Sequence, residues 1–244
     1  VDSELLFKLR RIRKRPVRAQ VKTQNIVQLV ETNGKRGIED KEGTNRGSFD
    51  PLFYMKKKLK KLKDYIHVEK NAISHEFCDE ILKEYKKDEY VEGTINDNER
   101  SRHRKCDVVY ISNYDTIEKS FQKRKSIDNR IYKIIHDKID RYLDIYAPMW
   151  FNMKGDTGYQ LIKYKTGDFV TEHIDTSAGE SRILSCSLLL NDDYKGGELA
   201  FFNKRYKHKG SKGDLVIFPS SFTYPHEVLP VKSGTRYSIV TWIR

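Results

Sequence analysis

The chain has too little cysteine for a disulfide framework or a structural zinc site. Its three cysteines, Cys78, Cys106 and Cys186, fall at unrelated spacings without a CxxC pair, which argues for free buried thiols in a reducing compartment. None has a partner arrangement that would mark it as a nucleophile. Long apolar runs are missing as well. No stretch approaches the ~18 residues of a membrane span, and the mean hydropathy is -0.74. The opening Val1-Asp2-Ser3-Glu4 lacks the basic-then-apolar order of a secretory signal. These absences predict a soluble, cytoplasmic protein. No internal repeat is present.

Positive charge is in excess and unevenly placed. Of the net +12 on 244 residues, positions 1–63 hold 18 Lys and Arg against 7 Asp and Glu, a net of +11. Positions 64–244 hold the remaining 29 against 28, a net of +1. The basicity belongs to an extension, with clusters at Arg10–Arg15 and Lys56–Lys63. Such clusters suit the phosphates of nucleic acid or an acidic surface, with salt-dependent affinity. The plainer reading is a solvated arm, because no aromatic stacking pattern accompanies them. Residues 31–50 combine glycine and dense charge with almost no apolar side chains, the composition of a flexible linker. The expected organisation is a basic N-terminal extension with a linker over 1–63 and one domain over 64–244.

Helical signals come first in that domain and strand signals follow. A short alternating strand is expected at Tyr65–Glu69. Ser74 then reads as the N-cap of a helix carrying Phe77, Ile81, Leu82 and Tyr85. A strand is expected at Cys106–Ile111. Ile127, Ile131, Ile135 and Ile139 recur at helical spacing within a second helix over Ser126–Tyr146. Beyond Gly158 the apolar runs are short and punctuated by glycine and proline. They predict strands at Tyr159–Tyr164, Phe169–Asp175, Ile183–Leu190, Leu199–Phe202, Asp214–Phe218, Glu227–Pro230 and Arg236–Ile243. Helices before strands argue for an α+β arrangement, with helices buttressing a β-sandwich.

His173-Ile174-Asp175 lies in this β-rich part, with His226 and Arg236 downstream. Alternate residues of a strand share a face, so an extended Phe169–Asp175 would present His173 and Asp175 together. His226 must then come from a second strand. Two imidazoles and a carboxylate form the facial ligand set of non-haem Fe(II) sites, which leaves coordination positions open.

The surrounding motifs resemble the prolyl 4-hydroxylase-like branch of the 2-oxoglutarate- and Fe(II)-dependent dioxygenases. They run Tyr164-Lys165-Thr166-Gly167-Asp168-Phe169, Leu188-Leu189-Leu190-Asn191-Asp192, Gly196-Gly197-Glu198-Leu199, Gly213–Pro219, Pro225-His226-Glu227-Val228 and Gly234-Thr235-Arg236-Tyr237-Ser238. The resemblance covers about residues 158–244 and reaches loosely back to Tyr65. It implies a mainly β, double-stranded β-helix (jelly-roll or cupin-like) core. It also implies His173, Asp175 and His226 as Fe(II) ligands and Arg236 as the partner of the distal carboxylate of 2-oxoglutarate. A guanidinium suits that task because it offers a planar two-pronged donor. Ser238 would add a hydrogen bond, Tyr164 would contact the cosubstrate, and Trp242 would line the metal pocket. The implied reaction is hydroxylation of a C–H bond with O₂, most naturally in a prolyl residue of a peptide or protein, with ascorbate as a further candidate cofactor. The loop Thr94–Lys105 reads as a lid or docking edge. Collagen-type enzymes usually have lysine where this chain has Arg236, which favours an intracellular type.

Two other readings stay open. Within the same chemistry, the target is a free amino acid or another protein side chain. Outside it, the β-sandwich is a silent scaffold whose basic arm docks on nucleic acid or an acidic surface. His67, His75, His103, His136 and His208 have no ligand spacing and read as surface or packing histidines.

Overall fold

The computed structural model describes residues 61–88, 90–93, 102–112, 120–146, 155–176, 179 and 181–244. The basic extension up to residue 60, its linker, and the Thr94–Ser101 part of the anticipated lid lie outside the described residues. After a 3-10 turn at Leu62–Tyr65 come β1 (His67–Glu69), α1 (His75–Tyr85), β2 (Val91–Glu92), β3 (Arg104–Lys105), β4 (Asp107–Tyr110) and α2 (Phe121–Tyr146). Then follow β5 (Gln160–Tyr164), β6 (Phe169–His173), β7 (Leu184–Leu189), β8 (Lys195–Gly196) and β9 (Leu199–Phe201). The chain ends with β10 (Tyr206–His208), β11 (Leu215–Pro219), β12 (His226–Val228), β13 (Val231–Ser233) and β14 (Arg236–Ile243).

A seven-stranded sheet has the order β1-β11-β7-β14-β5-β4-β2, and a five-stranded sheet has the order β10-β9-β12-β6-β3. All of their pairings are antiparallel. This is the double-stranded β-helix that the resemblance implies.

The helices cover one face of the large sheet because their apolar stripes match the apolar side chains on that face. Phe77, Cys78, Ile81 and Tyr85 of α1 and Ile127, Ile131, Ile135 and Ile139 of α2 pack in one core with Leu161, Leu188, Leu215 and Ile239. Ser74 caps α1 as expected, its hydroxyl accepting from the Phe77 N–H at 3.2 Å. Helix α2 begins five residues before Ser126. Its added turn is polar and is held by Arg124, which donates to Glu84 at 3.2 Å and Asp88 at 2.7 Å; apolar periodicity could not reveal it. The opposite face of the large sheet meets the small sheet across a second core that includes Ile162, Val170, Phe201, Val216, Phe218 and Val228.

Two expected strands are corrected. Tyr65 belongs to the 3-10 turn, because its carbonyl accepts from the Tyr142 hydroxyl at 2.9 Å instead of a ladder partner. Cys106–Ile111 is trimmed to Asp107–Tyr110, which pairs with β5 in the large sheet, whereas Arg104–Lys105 just before it forms an unforeseen strand paired with β6 in the small one. The chain changes sheets at Cys106.

Asp156 ties the helical layer to the large sheet. Its carboxylate, 2 % exposed, lies 3.1 Å from His136 Nε2 of α2 and accepts from the Tyr159 hydroxyl at 2.6 Å and the Gly158 N–H at 2.9 Å. Burial alone would raise this carboxyl; the bonds from His136, Tyr159 and Gly158 outweigh it and hold it below the usual range. Asp156→Ala leaves these donors without their acceptor and is expected to cost about 3 kcal/mol, measured as a lower denaturant midpoint. In the native protein the same bond contributes fully above the ordinary carboxyl value. That contribution is lost only as pH falls through the lower folded value.

Candidate functional site

Two backbone features, neither of them visible as periodicity, aim the site. Between β6 and β12, His226 pairs with His173 while Val228 pairs with Val170, so β6 carries one extra residue in a β-bulge. Val170 packs in the core between the sheets. By strict alternation, His173, three residues on, would face the other way; the bulge reverses its side so that it reaches the interior with His226. Within the bulge, Thr171 donates its N–H to the His103 carbonyl at 2.8 Å, on the β3 side.

Asp175 is then not on the strand at all, since β6 ends at His173. The expectation of one strand face holding both ligands is therefore corrected. Side-chain partners replace the ladder: Arg182 Nη1 donates to the Asp175 carbonyl at 3.2 Å and the Ser185 hydroxyl to its carboxylate Oδ2 at 2.6 Å.

The structure brings the three expected ligands together. One nitrogen or oxygen from each of His173, Asp175 and His226 lies within 4.8 Å of the others. His173 Nε2 is 3.5 Å from Asp175 Oδ1, and His226 Nε2 is 3.3 Å from Asp175 Oδ2. Each imidazole is oriented from behind. His173 Nδ1 is 2.9 Å from the Thr171 carbonyl, and His226 Nδ1 is 3.1 Å from the Tyr224 carbonyl. A carbonyl only accepts, so both Nδ1 atoms carry a proton and both Nε2 atoms turn toward Asp175, the orientation that metal-ligating histidines adopt.

Electrostatics treat the two rings differently, favouring the neutral form of His226 and the protonated form of His173. Burial pushes His226 down to about 4, so it stays neutral at pH 7. Burial would also lower His173, but the hydrogen bond and charge of Asp175 outweigh it and raise the ring. For Asp175 itself, burial works against ionisation. The bond from His173 and the charges of both imidazoles prevail and hold the carboxyl far below its usual range. The donor set, two neutral-capable nitrogens and one carboxylate with no thiolate, fits Fe(II).

Arg236 opens β14 and is 2 % exposed. It sits opposite Tyr164 in the β14–β5 register, its guanidinium 5.1 Å from the Tyr164 ring centre. Its Nη1 donates to Ser238 Oγ at 2.8 Å, and its Nε has no hydrogen-bond partner. Among the described residues no carboxylate forms an ion pair with it. Burying a cation this way costs several kcal/mol unless an anion arrives, so the cradle fits a carboxylate ligand. Gly197 makes room for it: a Cβ there would lie 3.0 Å from Arg236 Cδ. Tyr164 is buried, its hydroxyl pushed up to about 12 mainly by that burial, and it feels the charges of both Arg236 and Asp175. Its ring therefore borders the Arg236 end of the site.

Trp242 lies on the same face of β14 as Arg236 and Ser238, and the Arg182 guanidinium stacks 4.0 Å over its ring. Arg182, Ser185 and Ser220 were not anticipated from the sequence. The signal for Ser185 was present in Leu184-Ser185-Cys186-Ser187-Leu188. That strand is buried on both faces, so serines alternating with apolar residues mark a polar interior on one side.

Comparison with known proteins follows the same residues. Residues 159–244 match the family model for the 2OG-Fe(II) oxygenase superfamily. A PKHD-type hydroxylase of Prochlorococcus marinus strain NATL2A is 39% identical over 94 residues, covering 36% of this chain and 41% of that protein. A PKHD-type hydroxylase of Xylella fastidiosa strain M12 is 42% identical over 65 residues, covering 25% of this chain and 27% of that protein. The chain thus spans less than half the length of these relatives. Among solved structures, a Trichoplax adhaerens prolyl hydroxylase in complex with a hypoxia inducible factor peptide fragment aligns with TM-score 0.61 and 19% identity, over 73% of this chain and 82% of that one. A Pseudomonas putida prolyl-4-hydroxylase aligns with TM-score 0.57 and 17% identity, over 73% and 91% respectively. At these identities the likeness is one of fold. No helix among the described residues is long and apolar enough to cross a membrane.

Proposed function

We propose that this chain, a prolyl hydroxylase-like 2OG-Fe(II) oxygenase through residues 159–244, is a dioxygenase that hydroxylates a prolyl residue in a peptide or protein. The observation that carries the reading is the convergence of two backbone-oriented Nε2 atoms on Asp175, beside a buried Arg236 without a counter-ion among the described residues. His173, Asp175 and His226 would hold Fe(II), with Arg236 and Ser238 on the distal carboxylate of 2-oxoglutarate. When bound, the iron supplies activation of O₂, with one oxygen atom entering succinate as CO₂ leaves and the other entering the C–H bond.

The protein's own share is binding, orientation and exclusion of water. Arg236 neutralises the cosubstrate's far end and fixes which end reaches the metal. Tyr164 packs against the guanidinium and steadies it. Arg182 links Trp242 to the Asp175 backbone, so that Trp242 would line the metal end of the site. Support for a prolyl target comes from the prolyl hydroxylases of the same fold, one of them in complex with a peptide. Three free, buried cysteines support a cytoplasmic location. The basic residues 1–63 form a separate module in this reading, available for an acidic partner.

The test is a panel of proline-containing peptides and free amino acids incubated with the protein, Fe(II), 2-oxoglutarate, O₂ and ascorbate, then read by mass spectrometry. A gain of one oxygen atom on a prolyl residue is expected. Oxygen gained only by free amino acids, or only at other side chains, would reassign the substrate while keeping the reaction.

A further inference from the structure

Asp175 is the ligand least supported by secondary structure, since it lies beyond the end of β6 and no ladder partner fixes its backbone. Yet its carboxylate is 7% exposed and closely bound. Two serines stand behind it, one on β7 and one just past the end of β11 in the large sheet. Ser185 on β7, 2% exposed, donates to Asp175 Oδ2 at 2.6 Å. Ser220, 1% exposed and immediately after β11, places its hydroxyl 2.7 Å from that of Ser185. The backbone joins the same knot, for the Ser220 N–H donates to the Ile183 carbonyl at 3.0 Å and the Thr176 N–H to the Ser220 carbonyl at 3.2 Å.

The direction of the hydroxyl pair follows from proton count. A carboxylate that ligates a metal has no proton to give, so the only proton of Ser185 goes to Asp175. The bond between the serines must then be donated by Ser220. Each donor strengthens the next along such a chain.

Resting on the metal-site reading above, we propose that Ser185 and Ser220 form a positioning relay that sets the orientation of the Asp175 carboxylate, with Ser185 acting directly and Ser220 through it. With Oδ2 occupied by Ser185, the carboxylate plane is fixed before the ion arrives. Outer partners of this kind are typically worth about 10- to 100-fold in metal affinity.

The experiment uses the full chain, stripped of metal and titrated with Co(II), with affinity and the visible Co(II) absorption bands as readouts. Ser185→Ala is expected to weaken Co(II) binding about 10- to 100-fold and to shift the bands. Ser185→Thr, which keeps the hydroxyl on a strand that tolerates β-branching, should bind within about twofold of the parent. Ser220→Ala should weaken binding less than Ser185→Ala. Adding it to Ser185→Ala should cost nothing further, since a relay is not additive. Parent-like binding and bands in Ser185→Ala, or equal loss in Ser185→Thr and Ser185→Ala, would overturn the relay. If circular dichroism shows Ser185→Ala unfolded, Ser220→Ala decides alone, and parent-like Co(II) binding in it counts against the proposal. Failure of the parent chain itself to bind Co(II) would instead remove the metal-site reading on which the relay stands.

Discussion

His173→Ala is expected to abolish Fe(II)-dependent succinate formation. The loss should exceed the ~10- to 100-fold typical of outer-shell partners, because a direct ligand is removed. Fold stability should change little, since the His173 side chain is 33% exposed and fills no core position. That contrast separates a ligand from a packing residue. A buried structural histidine would lower the thermal midpoint when truncated, whereas here the metal-free midpoint should stay close to the parent's while the stabilisation by added metal disappears. The measurements are succinate release in air and, under argon, the thermal midpoint with and without Fe(II).

Arg236→Met should act in two opposite directions. In the absence of cosubstrate it is expected to stabilise the fold. The parent buries a guanidinium whose Nε lacks a partner and whose charge meets no carboxylate among the described residues, and an apolar side chain of similar length avoids that desolvation cost. In the presence of 2-oxoglutarate the order reverses. Truncating one side of a buried, hydrogen-bonded charge pair typically costs 2–5 kcal/mol, which corresponds to roughly 30- to several-thousand-fold in cosubstrate KM. Added 2-oxoglutarate should raise the parent's thermal midpoint and leave that of Arg236→Met unmoved. A variant less stable than the parent without cosubstrate, with unchanged KM, would make Arg236 a structural residue.

The strands that carry the site were legible because their apolar residues alternate or run continuously. β14 was bounded at Arg236 and Ile243 as found, and β5, β7, β9 and β11 were placed to within a residue or two. Sequence periodicity could not reveal register. The bulge that turns His173 inward depends on which β12 residue lies opposite it, a pairing set by contacts some fifty positions away. For the same reason Asp175 was assigned to a strand it does not belong to, its position being fixed by Ser185 and Arg182 through side-chain bonds. The two-residue strands β2, β3 and β8 are too short to show a pattern. The polar first turn of α2 had no apolar spacing to announce it. The chemical types of the site were therefore readable, while the devices that orient them were not.

The most direct test of the account is a parallel count of two products from one vessel. The parent protein, Fe(II), 2-oxoglutarate, O₂ and a hydroxylatable proline peptide should yield succinate and oxygen-bearing peptide in equal amounts, and a chelator or His173→Ala should remove both. Succinate formed at the same rate in the chelated sample, or none formed by the metal-loaded parent with any peptide or without peptide, would contradict it.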